Sequence, residues 1–197
     1  MTIKTVDING RVFIKTLIKF NEPLEKNTFS NYTSKTLGEA VKQNVYKHLK
    51  DVVTDLNRDI PLGKYLSDTK ELGDKTYLNF LNSNGDKIFC KFKIQDKRIF
   101  NKKGLYVYFV KNEIKYIGRC HGNSNYEKRI NDGYGNISPR NCYKDGQTTN
   151  CHINRLINEY RNDIELYVYP MESSDEEINR SETVLIAENQ PEWNRKK

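Results

Sequence analysis

No run of about 18 apolar residues occurs in the chain, so no segment reads as a membrane-spanning helix. The opening MTIKTVDING has no apolar stretch of the kind a secretory leader needs. Cysteine is scarce: Cys90, Cys120, Cys142 and Cys151 contain no CxxC pair and no regular framework. Reduced thiols in a cytoplasm are the expectation. The Cys-His pairs 120–121 and 151–152 fall outside common zinc spacings. No internal repeat or low-complexity tract is evident. These absences leave an ordinary globular chain, and 11% aromatics supply burial against 30% charged residues.

The 197 residues carry a formal charge of +7. Residues 1–100 hold 18 Lys and Arg against 12 Asp and Glu; residues 101–197 hold 15 against 14. A basic first half suggests contact with a polyanion, and a solubilising lysine-rich surface accounts for the charge equally well.

The pattern predicts an α+β chain in two parts, 1–98 and 99–197. In the first, IKTVDI and RVFIKTLIKF flank Asn9-Gly10, a hairpin turn signal. A capping box of Thr36 and Glu39 opens one long helix, carried by Leu37, Val41, Val45, Leu49, Val52, Val53 and Leu56. A second hairpin joins YLNFL to KIFCKFKI and puts Lys87, Lys91 and Lys93 on one face of a strand. The second part reads β-β-α-α-β-α, a small antiparallel sheet with flanking helices. Its elements are GLYVYFV, IKYIGR, a helix near 124–131, the helix of INRLINEY, the strand IELYVYP, and a helix through SDEEINRSETVLIAEN capped by Ser174 and Glu177.

In that last helix Ile178, Glu182, Leu185 and Ile186 form one stripe. A carboxylate on an apolar stripe costs free energy unless it is paired or ligates a metal; an arginine partner is the plain explanation. A loose Asp96…Glu113-Ile114-Lys115 pattern also matches a metal-nuclease signature, but it is short and frequent by chance.

Gly104-Leu105-Tyr106 followed by Tyr116-Ile117-Gly118 resembles the GIY-YIG nucleases, and over residues 103–197 the order Tyr106, Tyr116, Arg129, Glu182, Asn194 follows that family's pattern. Two departures stand out. Leu105 replaces Ile, and the residue four after Arg129 is Gly133, with Tyr134 one place later where the family uses His or Tyr. The segment RINDGYGNISPRNCYKDGQTTNC is similar to the small GIY-YIG type II restriction enzymes. The resemblance implies a cytoplasmic, metal-dependent DNA endonuclease, most of all a restriction enzyme. Alternatives are a phage or mobile-element (homing-type) endonuclease, or an inactive DNA-binding protein. It implies Tyr106, Tyr116, Arg129, Tyr134, Glu182 and Asn194 as catalytic residues, with Glu182 ligating one Mg²⁺ that Mn²⁺ can replace. Double-stranded DNA is the implied partner, with Arg119, Arg140, His152, Lys87, Lys91 and Lys93 as its contacts, and a homodimer is an option for cutting both strands.

On chemical grounds, two phenols from neighbouring strands, about 5 Å apart, can converge on one phosphate. Tyr106 or Tyr116 can deprotonate water if nearby cations lower its pKa. The sequence leaves open which of them does so.

Overall fold

The computed structural model describes residues 4–51, 53 and 58–194. The chain is α+β and divides into two compact units that interleave along the sequence. One unit comprises residues 1–22, 91–136 and 157–197; the other comprises 23–90 and 137–156. The expected boundary at 98/99 therefore gives way to a different partition, because the N-terminal hairpin pairs with a strand near the other end of the chain.

That hairpin is β1 (Thr5–Ile8) and β2 (Arg11–Thr16), and Asn9 and Gly10 both take the positive φ that its tight turn requires. The run after β2 breaks at Leu17 into a separate strand, β3 (Ile18–Glu25). Together with β5 (Gly104–Val110), β6 (Glu113–Cys120) and β7 (Ile164–Pro170), the hairpin forms an antiparallel five-stranded sheet in the order β1-β2-β7-β5-β6. β3 pairs instead with β4 (Phe89–Ile94) in a two-stranded sheet.

Helix α4 (Asp175–Asn189) covers one face of the large sheet. Its Ile178 and Leu185 pack with Leu105, Val107, Phe109, Ile117, Phe13 and Tyr167. Ser174 caps it by accepting from the Glu177 amide. By strand alternation Tyr106, Tyr108 and Tyr116 point to the opposite face. There they meet Tyr134, at the end of a helical segment Glu127–Tyr134.

The second unit packs short helical pieces around Phe29, Leu37, Tyr46, Leu62, Phe80 and Tyr143. Its elements include α1 (Leu37–Ala40), α2 (Leu62–Glu71) and the start of α3 (Thr148–Glu159). The capping box of Thr36 and Glu39 forms as expected, but the long helix does not follow. After α1 the amides of Gln43, Tyr46 and Leu49 each bond three residues back, to Ala40, Gln43 and Tyr46. This tight winding buries Ala40, Tyr46 and Leu49 and leaves Val45 exposed, so the apolar spacing is read by a period of three. Val52 and Leu56 lie outside the described residues. The second hairpin is also replaced: Lys75–Asn79 is a tight helical turn, and Leu81 makes only an isolated bridge to Tyr143.

Candidate active site at the sheet edge

β5 and β6 bring the two motif tyrosines together, but not as a cross-strand pair. Tyr106 lies opposite Gly118, and Tyr116 lies opposite Tyr108. The Tyr106 ring lies across Gly118, where a Cβ would fall 2.4–2.7 Å from the Tyr106 ring and hydroxyl. Gly118 thus makes room for a tyrosine of the neighbouring strand. Gly104, at φ 140°, starts β5 in a backbone region that other residues rarely adopt.

Tyr134 closes the arrangement. Its hydroxyl lies 3.0 Å from that of Tyr106 and 3.1 Å from that of Tyr116, so three phenols form one hydrogen-bonded chain. The winding of the helix brings Tyr134 to this place. Glu127–Tyr134 is wound as a π-helix, and the Gly135 amide bonds five residues back to the Ile130 carbonyl at 2.7 Å. In that wider turn, residues five apart stack on one face. Tyr134 therefore sits under Arg129, whose guanidinium lies 4.9 Å from the Tyr134 ring centroid. β4 holds the wide turn in place: Phe92 N–H donates to Gly135 O, and Ile94 N–H donates to Asn131 Oδ1. The helix expected over 124–131 is this segment, displaced towards its C-terminal end.

Arg129 Nε donates to Tyr106 Oη at 3.2 Å. Burial, then the charge of neighbouring Tyr116, holds the Tyr106 phenol well above its ordinary pKa, and Arg129 pulls it back only in part. Burial and then Tyr106 raise Tyr134; burial and then Tyr134 raise Tyr116. The expectation of a cation-lowered phenol is thus reversed, because desolvation outweighs one guanidinium.

β6 is the outer strand of the sheet, and its end opens into a cleft of about 270 Å³. Arg119, Cys120, His121, Ser124, Arg129 and Glu182 line it. Arg129 enters from the tyrosine side and Glu182 from α4, so the cleft lies around the outer edge of β6. Glu182 is buried on the helix stripe, as its spacing predicts, and forms an ion pair with Arg119. Cys120 and Ser124 carry no sequence signal beyond adjacency to the YIG strand. Burial pushes the Cys120 thiol up to about 12, which makes it a poor nucleophile.

Asn194 lies elsewhere along the same edge. Its Oδ1 accepts from Ile117 N–H at 3.0 Å and its Nδ2 donates to Ile117 O at 2.8 Å, while Trp193 N–H donates to Lys115 O. The tail thus covers outward-facing backbone of β6, and Asn194 supports the strand instead of lining the cleft.

Of the expected DNA contacts, Arg119 alone lines the cleft. Lys91 and Lys93 are on β4, but Lys87 lies before the strand, so the row of three is not a strand face. Lys87, Arg140 and His152 belong to the second unit. The charge also redistributes. The unit with the cleft holds 20 Lys and Arg against 16 Asp and Glu, and the other holds 13 against 10. The excess is concentrated in residues 91–136, with 11 against 4, a segment that includes β5, β6 and the π-helix. In the Asp96…Glu113-Ile114-Lys115 pattern, half-buried Asp96 pairs with exposed Arg98, and exposed Glu113 pairs with half-buried Lys115.

Among the described residues no group of three His, Cys, Asp or Glu side chains gathers as a metal cage. One carboxylate in a polar cleft fits Mg²⁺, which keeps several waters and takes oxygens from substrate phosphate. No family model, curated protein or solved structure matches the chain.

Proposed function

We propose that the chain is a Mg²⁺-dependent DNA endonuclease of the GIY-YIG kind, with restriction of double-stranded DNA as its role. The observation that carries this reading is the meeting of Tyr106, Tyr116 and Tyr134 under Arg129, which shares a cleft with Glu182. A fold alone needs no three-phenol chain ending on a guanidinium.

Glu182 would hold the ion, which when bound stabilises charge on the leaving 3′ oxygen. Arg119 and Arg129 offer guanidinium donors to the nonbridging oxygens of a phosphodiester. Arg129 also fixes Tyr106, whose hydroxyl accepts its N–H and is thereby aligned to take a proton from water once the phenol is ionised. Tyr134 links Tyr106 to Tyr116, giving a path along which a proton can move between the two strands. A homodimer would supply the second site that a symmetric double-strand cut requires.

Supercoiled plasmid incubated with and without Mg²⁺ tests the reading. Discrete fragments are expected for restriction; a smear indicates a relaxed mobile-element type; intact plasmid indicates binding alone. Glu182→Gln should lose Mg²⁺-dependent cleavage by orders of magnitude while still binding DNA. Cleavage within a few-fold of wild type would remove Glu182 as the metal ligand.

A further inference from the structure

Two arginines line the cleft, and they are held differently. Arg129 is fixed by Tyr106 and by the Tyr134 ring. Arg119 pairs with Glu182, its side chain is 35% exposed, and its Nε is buried with no hydrogen-bond partner. Its guanidinium is therefore half used. A phosphate offers two oxygens in the fork geometry that a guanidinium fits best, and the end-on fork of Nη1 and Nη2 includes the nitrogen that now faces Glu182. Glu182, for its part, is already neutralised, so a cation must displace an arginine before it can bind.

We propose that Arg119 is an exchange latch. It occupies the Glu182 carboxylate until a DNA phosphate draws the guanidinium away, and the freed carboxylate then takes the divalent ion. The inference rests on the nuclease reading and adds to it a coupling between DNA and metal. Each must tighten the other's binding by the same factor, because the two share one ion pair. Arg119 acts here as a positioning residue for the metal ligand, and in the DNA complex as a phosphate contact.

The test uses the full chain with Mn²⁺ as probe, read by the electron paramagnetic resonance signal of unbound Mn²⁺. Without DNA, wild type should bind weakly. Arg119→Met should bind about tenfold tighter or more, since the competent carboxylate no longer waits on a broken pair, and Arg119→Met/Glu182→Gln should lose that gain. A duplex with nuclease-resistant phosphorothioate linkages, corrected for Mn²⁺ bound by the duplex alone, should tighten Mn²⁺ binding more in wild type than in Arg119→Met, where only direct ligation by phosphate remains. Equal DNA-free affinities of wild type and Arg119→Met would overturn the latch and leave the nuclease reading to the plasmid assay. If Arg119→Met does not fold, the wild-type comparison decides: no tightening by the duplex overturns the proposal. Cleavage that survives Glu182→Gln overturns both.

Discussion

The Tyr46 hydroxyl donates to Asp145 Oδ1 at 2.7 Å, whereas the Tyr106 hydroxyl accepts from Arg129 Nε at 3.2 Å, although both rings are wholly buried. Tyr46 belongs to the helical unit, where Asp145 also takes the Lys35 ammonium at 2.6 Å. Burial and then the Asp145 hydrogen bond raise the Tyr46 pKa, so the carboxylate fixes that phenol as a donor. Burial raises Tyr106 too, but its cationic neighbour works in the opposite direction. The two buried phenols thus face charges of opposite sign: Asp145 favours the protonated form of Tyr46, whereas Arg129 favours the phenolate of Tyr106 against the larger cost of burial.

This contrast breaks most sharply in Tyr106→Phe. Cleavage should fall about 10²–10⁴-fold, as for loss of a general base, with little change in melting temperature because the ring volume is kept. Tyr108→Phe, from the same strand and face, should cleave as wild type. Equal mild effects in plasmid assays would make the whole cluster structural.

Gly118→Ala probes the same phenol without touching its hydroxyl. The added methyl meets the Tyr106 ring in a packed site, so thermal unfolding should register a loss of about 1–3 kcal/mol. Cleavage should drop with it, as Tyr106 leaves its place beside Arg129.

Tyr46→Phe is the counterpart in the other unit. It deprives Asp145 of a donor and should destabilise by about 1–3 kcal/mol, with cleavage unchanged well below the melting temperature. Its pH dependence has a definite sign. Burial raises the Asp145 pKa, but Lys35 and Tyr46 overcome this and hold it below the ordinary aspartate value. The carboxylate's stabilisation is therefore complete above that value and is lost as pH falls through the lower folded-state pKa. Denaturation of wild type and Asp145→Asn at a series of acid pH values should converge towards the low end. A gap that widens on acidification would reverse the assignment.

The smallest effect is expected on β4. Neutralising Lys91 and Lys93 should reduce the slope of log affinity against log salt by up to about 0.9 per lost phosphate contact. Fluorescence anisotropy on the Glu182→Gln background measures this, and an unchanged slope would leave those lysines to solvent.

The elements of the cleft were legible in the sequence where period and turn chemistry agree. Asn9-Gly10 marks a hairpin, the strand around Tyr106 is apolar throughout, those around Tyr116 and Tyr167 carry apolar and aromatic runs, and Glu182 stands out on the stripe of Ile178 and Leu185. The rest failed for identifiable reasons. Val41, Val45, Leu49 and Val53 fit a helical spacing, but bonding three residues back satisfies most of the same burial. The interleaved units depend on β2 pairing with β7 across some 150 residues of chain, a contact that no local pattern encodes. The cross-strand partner of Tyr106 depends on register, which the bulge between Tyr108 and Phe109 shifts. The state of the phenols depends on burial, which the motif does not carry.

The wide turn at Glu127–Tyr134 has a consequence for how such a site tolerates change. One more residue between Arg129 and Tyr134 would rotate the tyrosine off the face of an ordinary helix, out of reach of both partner phenols. Enlarging each hydrogen-bonded ring by that same residue restores the alignment, and the β4 backbone takes up the carbonyl of Gly135. Distance along the chain and distance in space are thereby decoupled by the wider winding. The helix serves as an adjustable spacer between a fixed cation and a fixed hydroxyl.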